Sequence, residues 1–224
     1  MKNTHCSIVC VTTFHYLCRL QTIEMTSKKE QIQKIRAEME ADIVQCIKVL
    51  SEGGLILYPT DTVWGIGCDA TNADAVSRIY QLKRRDDSKA LIVLVDSAEH
   101  LDHYVVDVPA IAHELVDVAV KPLTIIYEGA YNLAPNLLGD EDSVGIRIPN
   151  DEFCHSLCER FGKPIVSTSA NVSGEPTAKT FADISPAIVQ GVDYAVNYRR
   201  DDTTPHQPSN IILLSRDGTF KLIR

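Results

Sequence analysis

Three observations place this chain among α/β proteins built on one mixed sheet. Short apolar runs alternate with amphipathic stretches in the first half, strand-like runs crowd the second half, and no βαβ unit repeats at a fixed period. Alternation calls for helices laid on a sheet, whereas successive strand signals call for antiparallel neighbours within it. A length of 224 residues suits one domain. The expected fold is therefore a single α/β domain with a twisted mixed β-sheet flanked by helices.

The elements follow in order. Residues 1–24, "MKNTHCSIVCVTTFHYLCRLQTIE", fit no element: His5 and His15 flank only a short apolar stretch, and no small-residue cleavage site marks a signal peptide. Met25 stands directly before a helix start. Residues 1–24 are therefore set apart as an unassigned extension, and 25–224 as the domain. "SKKE" reads as a capping box from Ser27 to Glu30. Ile32, Ile35, Met39, Ile43, Ile47 and Leu50 recur at helical steps until Gly53 and Gly54 end the helix.

"LILY" is a strand stopped by Pro59. Asn72 can cap a helix carrying Ala75, Val76, Ile79 and Leu82 on one face. "KRRDDSK" breaks that helix before "ALIVLV", a strand buried on both faces. Residues 109–120 form a helix with proline first. "LTIIY", "SVGIRIP", "PIVSTS", "DYAVNY", "SNIILLS" and "TFKLIR" are strands, with "DEFCHSLCERFG" and a helix near 181–190 among them. "SRDG" marks a hairpin between the last two strands.

Composition narrows the function. No apolar run reaches the ~18 residues of a membrane span. A formal net charge of −8 argues against a general nucleic-acid coat, so cations for a polyanion must be concentrated in one place. The seven cysteines contain no C-x-x-C pair. Cys154 and Cys158 share a helical face with Phe153, Leu157 and Phe161, which makes them core residues of a protein suited to the reducing cytoplasm.

Several common signatures are missing. "GIGCDA" lacks the third glycine of a dinucleotide loop, no phosphate-binding G-x-x-x-x-G-K-[ST] loop occurs, "HELVD" lacks a second histidine, and "STSANVSG" contains no nucleophile elbow. What remains is distributed. Proline, threonines and glycines follow a strand in "LYPTDTVWGIG". Lys83, Arg84, Arg85 and Lys89 set four cations within seven residues. Arg147 interrupts an apolar strand, and Ser167, Thr168, Ser169 and Asn171 follow another.

Each has a plainer reading. The cations can pair with Asp86 and Asp87 in a solvated turn, Arg147 with Glu141 or Asp142, and "STSANVSG" can be a turn and cap. Taken together they put cations and hydroxyls at strand ends, where open α/β sheets bind ligands.

The stretch "LYPTDTVWGIGCDATNADAVSRIYQLKRRDDSKALIVLV", with "SVGIRIP" and "IVSTSANVSGEPTAKT", closely resembles the YrdC-like family of L-threonylcarbamoyladenylate synthases, in their short single-domain form. The resemblance runs from about Gly53 to Arg224. It implies a sheet curled around a large concave pocket, and a nucleotidyltransferase reaction in which L-threonine, bicarbonate and ATP, with Mg²⁺, give threonylcarbamoyl-AMP and pyrophosphate. Partner proteins then transfer the group to tRNA.

By position, the resemblance implies that Thr62, Arg147, Ser169 and Ser209 bind threonine. Arg85, Lys89, Ser143, Asn171, Thr180 and Arg224 bind ATP, and Lys83 and Arg85 are catalytic, Lys83 facing the reacting anions. No protein ligand to a metal is implied. Leu94 stands where many relatives have histidine, "VKPLTIIY" lacks their W-P-G-P, and Lys179 takes a position where hydroxyls are common, with Thr180 its expected substitute. Two other functions compete: a carbamoyl-AMP-forming relative found inside longer hydrogenase-maturation chains, and a non-catalytic RNA-binding or ribosome-maturation factor. A weak direct RNA contact is compatible with the first reading as well.

Overall fold

The computed structural model describes residues 5–85, 91–204 and 207–224, with backbone alone for 5–27. Two compact units divide the chain at 41/42. The first is helical throughout its described length, as part of α1 (His5–Ser51). This helix passes through Met25 and Ser27 without a break, so "SKKE" is not a helix start. No glycine or proline stands between His5 and Ser51 to interrupt it. Its apolar stripe changes character along the way: Ile32 and Ile35 are about half exposed, while Ile43, Cys46 and Leu50 are buried.

The second unit holds the sheet. Its strands are β1 (Ile56–Tyr58), β2 (Gly65–Gly67), β3 (Ile92–Leu94), β4 (Leu123–Tyr127), β5 (Val144–Arg147), β6 (Ile165–Ser169), β7 (Tyr194–Ala195), β8 (Asn210–Leu214) and β9 (Phe220–Leu222). They lie in the order β7-β1-β2-β6-β3-β5-β4-β8-β9. β3 pairs parallel with β5, β4 with β8 and β1 with β7; the other neighbours are antiparallel. The mixed sheet expected from the sequence is present, and no strand pairing closes it into a barrel among the described residues.

Among the described residues, four further α-helices accompany it: α2 (Ala73–Lys83), α3 (Ile111–Val118), α4 (Glu152–Phe161) and α5 (Pro186–Gly191). Local chemistry sets their ends. Asn72 Oδ1 accepts the amides of Asp74 and Ala75 at 3.0 and 3.1 Å, so the expected cap is made. Asp151 does the same for Cys154 at 3.0 Å, and Gly162 closes α4 with φ +69°. Phe153, Cys154, Leu157 and Cys158 are buried as one face, which makes the two cysteines core residues. The helix expected near 181–190 is split into a single 3₁₀ turn, Phe181–Asp183, and α5.

One connection was not legible as a strand. "GIG" pairs antiparallel with β1 on one side and β6 on the other. A Cβ on Gly67 would lie 2.8 Å from both Tyr58 Cε1 and Val166 O, so only glycine lets these backbones and the Tyr58 ring approach. β6 lies between β2 and β3: Ile165, Val166 and Ser167 pair with β3, Thr168 and Ser169 pair with β2, and Ile165 and Val166 are also bonded to Asp69 and Cys68 just beyond β2.

Candidate active site

A cavity of about 560 Å³ opens on this sheet, within the size range of small-molecule sites. Its walls come from six strands. Gly65 lies on β2, Ser167 and Ser169 on β6, Ile92 on β3, Gly145 and Arg147 on β5, Thr124 and Ile126 on β4, and Ile211 on β8. The two-residue steps within β4, β5 and β6 put those side chains on one face. Gly145 keeps the floor low, since a Cβ there would come within 3.2 Å of Thr124 Cγ2.

Arg147 is the floor's cation. Its side chain is 5% exposed and lies between two residues of the β1–β2 connection. Nη1 donates to Thr62 Oγ1 at 3.3 Å, and Nη2 is 3.3 Å from Asp61 Oδ1, whose side chain is 6% exposed. The charge that looked expensive in an apolar strand is therefore compensated by Asp61, not by Glu141 or Asp142. Burial raises the Asp61 carboxyl above its ordinary range, although Arg147 opposes the shift.

The hydroxyls beside Arg147 form a directed chain. Thr60 Oγ1 donates to Val63 O at 2.7 Å and accepts the Thr62 amide at 3.0 Å. With that proton committed, the 2.9 Å contact between the two hydroxyls has Thr62 as donor. Thr62 Oγ1 thus accepts from Arg147, donates to Thr60, and keeps one lone pair for a donor in the cavity. This connection is a built wall and not merely a turn.

Lys83 does not line the cavity. It is 1% exposed, and its ammonium donates to the carbonyls of Ser169 and, at 2.7 Å, of Asn171. Its own carbonyl accepts the Ser173 amide at 2.8 Å. The end of α2 therefore grips the loop after β6 by both side chain and backbone. Burial, and after it the charge of Arg85, lower the Lys83 pKa to about 8.

Other cations stand around the rim. Arg85, Arg224 and Lys179 line the cavity, and Arg224 donates to Ser209 O through Nε and Nη2 at 3.3 and 3.1 Å. Burial lowers the Arg85 pKa from its ordinary value. Ser143 and Ser209 also face the space, and Ser209 Oγ is 2.8 Å from Thr124 Oγ1 with both residues buried. No Asp or Glu lines the cavity among the described residues.

Of the residues singled out in the sequence, Thr62, Arg85, Ser143, Arg147, Ser169, Ser209 and Arg224 meet around one cavity. Lys83 lies behind it. Asn171 is not in the wall; its amide donates to the carbonyls of Val172 and Glu175, both at 2.9 Å, and its Oδ1 is buried without a hydrogen-bond partner. The Thr180 hydroxyl is occupied in capping the turn at 181–183, where it donates to Asp183 at 2.8 Å. Lys89 lies outside the described residues, as do the pairings considered for Asp86 and Asp87.

Sequence reasoning missed Lys179, treated only as a departure, and Thr124, whose hydroxyl sat unremarked in an apolar strand. A two-residue step from Ile126 on that strand was the available signal for Thr124. Lys179 had none. Leu94, at the position of the relatives' histidine, is fully buried and outside the wall.

The fold and the cavity of cations and hydroxyls can be set beside known proteins. The Sua5/YciO/YrdC family model, described as telomere recombination, matches residues 48–224, and the chain belongs to that family. A threonylcarbamoyl-AMP synthase of Pseudoalteromonas translucida (strain TAC 125) is 34% identical over 175 residues, covering 77% of this chain and 92% of that protein. Sua5 of P. abyssi, in a crystal structure complexed with L-threonine, superposes with a TM-score of 0.72 at 26% identity. That match covers 81% of this chain and 53% of that one, so the chain spans about half the length of that relative. E. coli YciO gives a TM-score of 0.70 at 25% identity, covering 81% and 87%.

Proposed function

We propose that this chain is an L-threonylcarbamoyladenylate synthase, joining L-threonine, bicarbonate and ATP into threonylcarbamoyl-AMP with release of pyrophosphate. One observation carries the reading: an acidic chain concentrates Arg85, Arg147, Arg224 and Lys179 around a single cavity whose remaining polar wall is hydroxyl. Two anionic substrates and a small amine need that combination.

Arg147 receives the threonine carboxylate, since a guanidinium offers paired donors to two oxygens. The remaining lone pair of Thr62 accepts from the substrate amine, and Ser169 and Ser209 complete that end. Arg85, Arg224, Lys179 and Ser143 take the nucleotide phosphates; the family resemblance adds Lys89, which lies outside the described residues, and Asn171. Thr180 is spent on its cap, so Lys179 fills the part expected of it. Lys83 acts through the Ser169–Asn171 backbone that it holds.

The threonine amine adds to CO₂ derived from bicarbonate, losing a proton to give a carbamate. A carbamate oxygen then attacks the α-phosphorus, and the bond from that phosphorus to the bridging oxygen breaks to release pyrophosphate. The obstacle is repulsion among carboxylate, carbamate and triphosphate, which the arginines offset before the reaction begins.

Among the described residues, no group of three acidic, histidine or cysteine side chains is placed to hold a metal. On this reading Mg²⁺ comes with ATP as part of the substrate, and no step is assigned to it. The four described cysteines are free and buried, which suits a cytoplasmic protein. No described helix is long and apolar enough to cross a membrane. Transfer of the group to tRNA falls to partner proteins.

The deciding experiment is pyrophosphate release from ATP with threonine and bicarbonate each present or omitted. Release that requires both is expected. Release without threonine, or driven by carbamoyl phosphate in place of bicarbonate and threonine, overturns the reading.

A further inference from the structure

The two substrates pose a sorting problem that the cavity must solve. Both carry anions, and cations stand at several places around one space. A phosphate seated on Arg147 would block the amino acid and misplace the nucleotide. The cations differ in their surroundings. Arg224 is braced by the neutral carbonyl of Ser209, and the charged neighbour of Lys179 is Asp183, which is exposed. Arg147 alone among these three carries a buried carboxylate, Asp61, which lies outside the cavity wall.

We propose that Asp61 is a specificity-determining residue: by offsetting the positive field of Arg147 from outside the cavity wall, it reserves that guanidinium for a monoanionic carboxylate and keeps phosphoryl groups off it. The inference rests on the reading of the cavity as a two-anion site. Its physics is simple. A buried pair presents little net charge, yet its paired N–H donors still fit a carboxylate. A dianion is repelled by Asp61 about twice as strongly as a monoanion, and burial leaves that repulsion weakly screened.

The construction supports a charge role over a packing role. Neither Asp61 oxygen makes a well-formed hydrogen bond among the described residues, and Arg147 Nε is likewise without a partner. A carboxylate kept only to hold a loop would be expected to use its acceptors. The charged and titratable groups near it are Arg147 on β5, Asp151 at the start of α4 and Cys154 one turn on, with the Asn150 backbone also close. Asp151 is itself neutralised by Arg199 at 2.9 Å.

The test uses sulfate, a tetrahedral dianion that does not titrate above about pH 3. L-threonine binding to the full chain is measured by calorimetry at rising sulfate, for wild type and Asp61→Asn. Threonine should bind both proteins, with sulfate competing about tenfold more strongly in the variant. A second arm needs no variant. In wild type, sulfate competition should strengthen as pH is lowered, because burial raises the Asp61 carboxyl above its ordinary range and it takes up a proton before the threonine carboxylate does, while sulfate keeps its charge. Sulfate competition that is equal in both proteins, or flat with pH in wild type, overturns the inference. Failure of wild type to bind threonine at all overturns the two-anion reading instead.

Discussion

The floor and the rim of the cavity use cations differently. Arg147 in the floor and Lys83 behind it are almost wholly enclosed, each fixed by partners contributed from distant parts of the chain: Asp61 and Thr62 for the first, the carbonyls of Ser169 and Asn171 for the second. Lys179 is exposed on the loop after β6, and Arg224 has only a carbonyl to brace it. A buried cation is already desolvated and aimed, so a ligand need not reorganise it. An exposed cation keeps its water, and salt weakens it. Substitutions on the floor should therefore be costly and insensitive to salt, and those on the rim milder and salt-dependent.

The largest effect belongs to Arg147. Arg147→Ala removes the group proposed to bind the threonine carboxylate and strands Asp61 as a buried charge, so threonine affinity should fall by at least about 100-fold, with about 3 kcal/mol of stability lost. Arg147→Lys should not restore binding, because one ammonium cannot reproduce two parallel donors. Calorimetry and thermal unfolding read both quantities. Threonine binding within about threefold of wild type in the alanine variant would remove the floor from the argument.

Lys83 comes next. Lys83→Met keeps most of the volume but releases two carbonyls, so the loop after β6 loosens and kcat/KM should fall about 100-fold, with weaker binding of both threonine and ATP. Amide exchange at Ser173, whose N–H bonds to the Lys83 carbonyl, reports whether the loop has loosened or only a charge has gone. The pH dependence has a definite sign. Lys83 is charged below about 8 and neutral above it, so ATP binding in wild type should weaken as pH rises through that value, and the methionine variant should lack the step. A variant with normal exchange and normal affinities would show that the grip does not matter.

Much of this was legible in the sequence because the cost of burial is local knowledge. A charge within "SVGIRIP" had to find a partner, and Asn72 before an apolar stripe implied a cap. The identity of the partners was not legible. Asp61 sits between two threonines as any turn aspartate would, and only the folding of the β1–β2 connection over β5 brings it to Arg147. The family resemblance has Lys83 facing the reacting anions; its enclosure depends on where the loop after β6 returns. Ser27 shows the reverse error: a sound capping motif does not end a helix when nothing on its N-terminal side breaks the hydrogen-bond ladder.

Lys179 offers the mildest and most discriminating test of the comparison. It shares its loop with Thr180, whose hydroxyl is tied to Asp183, so the lysine is the side chain of that pair left to meet phosphates. An exposed ammonium gains only a modest Coulomb term, because it remains hydrated and mobile. Lys179→Ala should therefore raise the KM for ATP by about threefold to tenfold at low salt, leave threonine affinity unchanged, and have little effect above ~0.5 M salt, where the Debye length is shorter than the rim is wide. Lys179→Ser should behave like the alanine variant in salt dependence, since a hydroxyl donates a hydrogen bond but carries no charge. If the ATP KM of Lys179→Ala shifted equally at low and high salt, the lysine would be acting by contact and shape, and the division between an enclosed floor and a solvated rim would not hold on that side of the cavity.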